Sequence, residues 1–181
     1  MTPILCANFL PYLNQGHFPT HWGVYRSWNN ARHPAPPRAS LAAAARDAAL
    51  AAGLPADVDW DLELNFTNDR SMAKYNSELV GHEGTTDVIT FSYFDDPGNF
   101  FPGETGVELI VNPDAAAREG EKRGTTYAYE LMLYLVHGLL HAAGEDDLDP
   151  GSRRRMRRRE REVMNVLMDK YDLREIFAER D

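Results

Sequence analysis

One cysteine, Cys6, is all that 181 residues contain. No intrachain disulfide can form, and a reducing compartment, the cytoplasm, is the expected home. Nor does any stretch approach 18 uninterrupted apolar residues, so no membrane-spanning segment and no membrane partner are expected. The mildly apolar Met1 to Leu13 has neither a basic residue before it nor a convincing cleavage site, which argues against a secretory signal. Cations are in deficit too: the formal net charge is −9. A protein that coats nucleic acid by bulk charge is thereby excluded. There is no internal repeat and no composition shift that marks a second domain.

What remains is an ordinary globular composition, 43% hydrophobic and 26% charged, in a chain long enough for one domain with its own core. Met1 to Trp22 carries Pro3, Pro11 and Pro19 without clear periodicity. It reads as an N-terminal extension to a single domain over residues 23–181. Val24 to Asn29 is a first strand candidate. The run His33-Pro-Ala-Pro-Pro37 is a connector. Ser40 looks like the N-cap of an alanine-rich helix, Leu41 to Ala52, that ends at Gly53. Strict alternation over Trp60 to Thr67 predicts a strand with one buried face. Asp69 to Leu79 reads as a short helix with Met72, Tyr75 and Leu79 on one side. Strands follow over Asp87 to Tyr93 and Val107 to Val111, separated by a turn region from Asp95 to Gly103. Pro113 opens a helix to about Lys122. Tyr127 to Ala142 is the most apolar helix, with Leu131, Leu135 and Val136 inward. Pro150 begins the last, which runs to about Tyr171 with Met156, Val163 and Leu167 inward. The expected architecture is α+β, a small mixed sheet of three to four strands flanked by about five helices.

Chemistry concentrates in His137-Gly-Leu-Leu-His141-Ala-Ala-Gly144-Glu145-Asp146-Asp147. Helical spacing of four puts both imidazoles on one face, about one turn apart, which suits a shared metal ion. A lone buried histidine is usually a hydrogen-bonded core residue. The pair gains weight from Gly144, able to end the helix in a left-handed conformation, and from the carboxylates that follow. Asp147 is the expected third ligand, with Asp146 and Asp149 as alternatives. Three ligands and an open position are the layout of a catalytic zinc site. One zinc ion per chain is expected. A carboxylate in place of a third histidine lowers the charge of the site by one, and admits harder divalent metals such as manganese more readily. Gly138 stands where H-E-x-x-H metalloproteases carry their general base, which argues against proteolysis. A glycine in a helix costs about 1 kcal/mol relative to alanine, so a close packing partner or a substrate backbone is expected against it.

At these residues the chain resembles the YbeY family of bacterial endoribonucleases, whose motif reads H-G-x-L-H-x-x-G-Y-D-H. Thr86-Asp-Val-Ile-Thr-Phe91 is similar to the family's T-[DN]-V-L-S-F segment. Asn76 and Met156 fall where the family places an asparagine and a methionine. The resemblance covers roughly Val24 to Met168. It implies metal-dependent, single-strand-specific cleavage of RNA in ribosomal RNA maturation, with the ribosome, and ribosomal or GTPase proteins, as partners. The sequence sets no oligomeric state. Two departures stand out. Asp147 replaces the third motif histidine, and Val80 stands where the family carries a basic residue, usually arginine; His82 or an arginine of the last helix could compensate.

On this reading a metal offsets charge at a phosphate oxygen or activates a water, while Asp146 or Glu145 positions that water or accepts a proton. Their plainer role is a solvated acidic turn. Between Arg153 and Arg161 lie seven arginines, read either as a solvated face paired with Glu160 and Glu162 or as phosphate contacts beside the metal. Phe91, Tyr93 and Phe94 are expected in the core rather than stacked on a base. Cys6 has no motif around it and reads as inert. The readings in competition are the endoribonuclease, a ribosome-associated maturation factor whose metal is mainly structural, and, remotest, a metalloprotease.

Overall fold

Four strands form one mixed sheet in the order β1-β2-β4-β3. β1 (Val24–Asn29), β2 (Asp61–Thr67) and β4 (Gly106–Val111) run parallel, and β3 (Val88–Ser92) is the antiparallel edge. The computed structural model describes residues 23–30, 32–56, 60–94 and 106–179. The expected extension over residues 1–22, with Cys6, and the turn over Asp95 to Gly103 lie outside them. Among the described residues no helix is long and apolar enough to cross a membrane.

Alternation decides the sheet's two faces. Leu62, Leu64 and Phe66 of β2 pair in register with Val107, Leu109 and Val111 of β4, and all six are buried. Against this apolar face lie α1 (Arg38–Ala52), α3 (Pro113–Arg123), α4 (Tyr127–Ala142), α5 (Pro150–Lys170) and the short α6 (Leu173–Ile176) in one continuous core. α4 is the hub, in contact with α1, α3, α5, α6, β3 and β4, and its Leu131, Leu135, Val136, Leu139 and Leu140 are fully buried. On the opposite face α2 (Asp69–Tyr75) lays Met72 against Ile89 and Ile110, with Tyr75, Leu79 and Phe91 at the rim.

Several boundaries depart from expectation. Ser40 is not the N-cap of α1. The helix begins at Arg38 after Pro37, which provides no side-chain cap, and the Ser40 hydroxyl donates to the Pro37 carbonyl. The buried row Ala44, Ala45, Ala48, Ala49 and Ala52 ties the helix down instead, so packing supplies what the cap does not. The helix from Asp69 stops being α-helical at Tyr75. Asn76 to Val80 form a wider π turn closed by Gly81 in the left-handed region. That turn buries Asn76, whose amide donates to the Gly84 carbonyl at 3.0 Å. α6, unexpected from its four residues, buries Leu173 and Ile176, with Phe177 beside them. Phe94 packs edge-on against Trp60 and Phe91 joins the Met72 cluster. Tyr93, beyond the end of β3, is exposed, and its hydroxyl donates to Glu108 at 3.3 Å.

A polar knot at the carboxyl ends of the strands fixes the start of β3. Buried Asn112 caps α3 by accepting from the amides of Asp114 and Ala115. Its amide group donates to Asp69, to the Thr85 hydroxyl and to the Thr86 carbonyl. Asp69 also pairs with Arg118, and Asp114 with Arg32. Thr86 and Asp87 are thereby held beside α4.

Candidate metal centre

α4 delivers both histidines. Four residues apart on one helical face, His137 and His141 stand edge to face, their Nε2 atoms 3.1 Å apart. Each ring is fixed from behind. His141 Nδ1 lies 2.9 Å from the backbone carbonyl of Glu145. A carbonyl only accepts, so Nδ1 carries the proton and Nε2 a lone pair. His137 Nδ1 donates to Glu160 Oε1 at 2.8 Å, with the same result. Two lone pairs directed at each other across 3.1 Å repel unless a cation or a proton lies between them.

The chain reversal after α4 brings the third group. Gly144 adopts φ 92°, and the amides of Gly144 and Glu145 donate to the carbonyls of His141 and Leu140. This pair of bonds is the Schellman closure of a helix, for which glycine is preferred because a Cβ is strained at that φ. The closure places the Glu145 carbonyl under His141 and returns Asp147 to the histidine face. One ligand atom each from His137, His141 and Asp147 lies within 4.8 Å of the others. The donor set fits a divalent transition metal: two neutral imidazoles and one carboxylate, with the far nitrogen of each ring held by a hydrogen bond.

Electrostatics agree with that fit. Burial works against protonation of His137, but the Glu160 hydrogen bond and the charges of Asp87, Glu160 and Asp147 outweigh it and hold its pKa above the ordinary histidine value. The carboxylates that favour a proton there favour a metal cation for the same reason.

The two carboxylates expected to handle protons are not part of this ligand group. Glu145 turns its side chain to α5, 3.3 Å from Arg155 and 3.9 Å from Arg159. Asp146 is exposed and accepts from the Leu148 amide at 3.2 Å. Asp149 is the N-cap of α5, in a reciprocal capping box with Ser152. Val80 is exposed at the end of the π turn, and His82 is exposed after it.

Gly138 has its explanation in packing. A Cβ there would lie 2.8 Å from Leu109 Cδ2, 2.9 Å from Thr90 Oγ1 and 3.2 Å from Val88 Cγ2. The missing side chain lets α4 sit directly on β3 and β4, which sets the height of His137 over the sheet.

Glu160 is the functional residue that sequence reasoning missed, having assigned it to the arginines around it. A signal was present. Met156, Glu160, Val163 and Leu167 are spaced four, three and four, so Glu160 occupies an inward position of α5. An inward carboxylate needs a buried partner, and His137 is that partner.

The model of the Endoribonuclease YbeY family matches residues 33–168. An Endoribonuclease YbeY of an Anaeromyxobacter species is 32% identical over 134 residues, covering 74% of this chain and 68% of that protein. One from a Synechococcus strain is 41% identical over 91 residues, 49% of this chain and only half the length of that relative. The solution structure of a Thermotoga maritima protein superposes with a TM-score of 0.50 at 17% identity, covering 82% of this chain and 92% of that one, a likeness of fold alone.

Proposed function

Because the chain belongs to the Endoribonuclease YbeY family, we propose that it is a metal-dependent endoribonuclease that cuts single-stranded RNA in the maturation of ribosomal RNA. The observation that carries the metal dependence is the pair of Nε2 lone pairs 3.1 Å apart with Asp147 beside them. When bound there, zinc or another divalent transition metal supplies Lewis acidity toward a phosphate oxygen and a water. His137 and His141 hold it through Nε2. Glu160 and the Glu145 carbonyl keep each ring in the tautomer and orientation that this requires. Asp147 donates a carboxylate oxygen and lowers the net charge of the site. Of the two carboxylates beside it, Asp146 is the one open to solvent; hydrogen bonds from Ser152 and the Leu148 amide hold its carboxyl below the usual range, so it stays ionised and positions the water. Glu145 is fastened to Arg155 and Arg159 and ties the metal loop to α5.

We propose the ribosome in the cytoplasm as its place of action, with ribosomal RNA as substrate and ribosomal or GTPase proteins as partners.

Purified protein, as prepared and as the His141→Ala variant, is incubated with single-stranded RNA while its metal content is measured. The parent should hold about one transition metal per chain and cleave. The variant should lose the metal and at least two orders of magnitude in rate, as for loss of metal-assisted catalysis. Full cleavage by metal-free His141→Ala protein would overturn the proposal.

A further inference from the structure

The seven arginines of α5 do not share one role. Arg155 pairs with Glu145, Arg159 with Glu162 and Glu145, and Arg158 with Glu162. Arg153 donates from Nε and Nη2 to the backbone carbonyls of Asp147 and Leu148, stitching the first turn of α5 to the metal loop. Glu160, which could have neutralised a neighbour, is spent on His137. Arg154, Arg157 and Arg161 are exposed and, among the described residues, make no ion pair and no hydrogen bond. Their spacing of three and four puts them on one stripe of the helix.

That stripe is unfavourable for the isolated fold. Like charges at helical spacing repel, and cations in the first turns of a helix oppose its dipole. The N-cap Asp149 is the acidic group at this end of α5, and the first turn itself holds none. The helix carries eight cationic side chains against three acidic ones, a net of +5 in a chain of net −9. Such local inversion of charge calls for an anionic partner. Its position says which. By the helical rise, Arg154 to Arg161 spans about 10 Å, on the order of three phosphates along one strand. It starts one residue after Arg153, which is bonded to the turn that holds Asp147, and runs along the outward side of α5.

We infer that Arg154, Arg157 and Arg161 form a track for the RNA backbone that leads away from the metal centre along α5. The inference rests on the reading of the chain as a ribonuclease and adds to it the surface that holds the strand. The guanidinium groups contact phosphates and carry no base preference. The strength of binding should therefore depend on salt.

The test reads binding to a single-stranded RNA made uncleavable by 2′-O-methylation, so it does not depend on cleavage. Fluorescence anisotropy is recorded across a salt series for the parent, for Arg154→Gln/Arg157→Gln/Arg161→Gln and for the corresponding triple Lys variant. Circular dichroism and metal content verify that each is folded and loaded. The Gln variant should bind at least ten-fold more weakly at low salt. The slope of log affinity against log salt should fall by about 2, roughly 0.7 for each phosphate that is no longer neutralised. The Lys variant should keep most of the affinity and the slope. Equal affinity and slope in parent and Gln variant overturn the track and leave the stripe to an acidic protein surface. An equal loss in Lys122→Gln/Arg174→Gln, two cations on α3 and α6, overturns it as well. A failed ribonuclease reading shows instead in the His141→Ala cleavage comparison, with RNA binding intact.

Discussion

Two residues that touch no substrate decide the geometry of the centre. Gly138 lets α4 rest on the sheet. Gly138→Ala should gain about 1 kcal/mol of helix propensity and lose about 1–3 kcal/mol to overpacking. Its Cβ meets the ends of fully buried Leu109 and of Thr90 below 3.0 Å. The expected outcome is a net lower melting temperature. An unchanged or raised one would mean that α4 has room to shift and that the glycine is not held by packing. Glu160 bears on the candidate metal site through His137, whose Nδ1 it holds at 2.8 Å. Glu160→Ala frees the His137 ring and should weaken metal affinity about 10–100-fold, read by competition with a chromogenic chelator. Glu160→Gln, which keeps an oxygen acceptor, should lose less. If both bind metal like the parent, Glu160 is only a surface carboxylate.

Among the elements, those whose hydrophobic period matches their length were legible from residues alone. Strict alternation set β2, and continuous apolar periodicity set α4. Tyr127 to Ala142 is bounded as expected, and so is the first strand, Val24 to Asn29. The misses have physical causes. Ser40 has the chemistry of a cap, but a buried alanine row carries α1 past it. The π turn depends on the burial of Asn76, a tertiary event. α6 is too short to show a period, and it exists because Leu173, Ile176 and Phe177 find a core to enter. The clustering of His137, His141 and Asp147 was legible because it is local to one helix and one turn. Glu160 was not, because its partner lies on another helix, 23 residues away. The open face of the sheet makes a prediction at this scale. Ser27 donates to Asn65, whose amide in turn donates to Glu108 at 2.8 Å. Burial raises the Glu108 pKa, while the bonds from Asn65 and Tyr93 only partly offset it. A folded pKa above the unfolded one contributes stability fully below the unfolded carboxylate range, and loses it as pH rises through the folded value. Glu108→Gln should therefore raise the melting temperature at neutral pH, and the gain should vanish in acid. A variant less stable than the parent at neutral pH would show that the charged form is the one this face accommodates.

Across the whole molecule, the folding core and the candidate metal site are built from separate sets of residues. The core joins the apolar sheet face to five helices through hydrophobic side chains, and the one carboxylate that α4 buries, Glu130, accepts from the Thr125 hydroxyl at 2.6 Å and pairs with Arg123. The histidines stand on the adjoining flank, only partly buried, where a ligand can be exchanged with solvent or substrate. An acidic chain with one strongly basic helix beside that flank concentrates its positive potential at one place. The central claim is that His137, His141 and Asp147 jointly hold one divalent metal. Crystals of the zinc-loaded protein, measured at the zinc absorption edge, test it most directly. The account predicts one anomalous peak about 2.0–2.2 Å from His137 Nε2, His141 Nε2 and an Asp147 carboxylate oxygen. No peak between the two rings, or one ligated by Asp146 with Asp147 turned away, would contradict it.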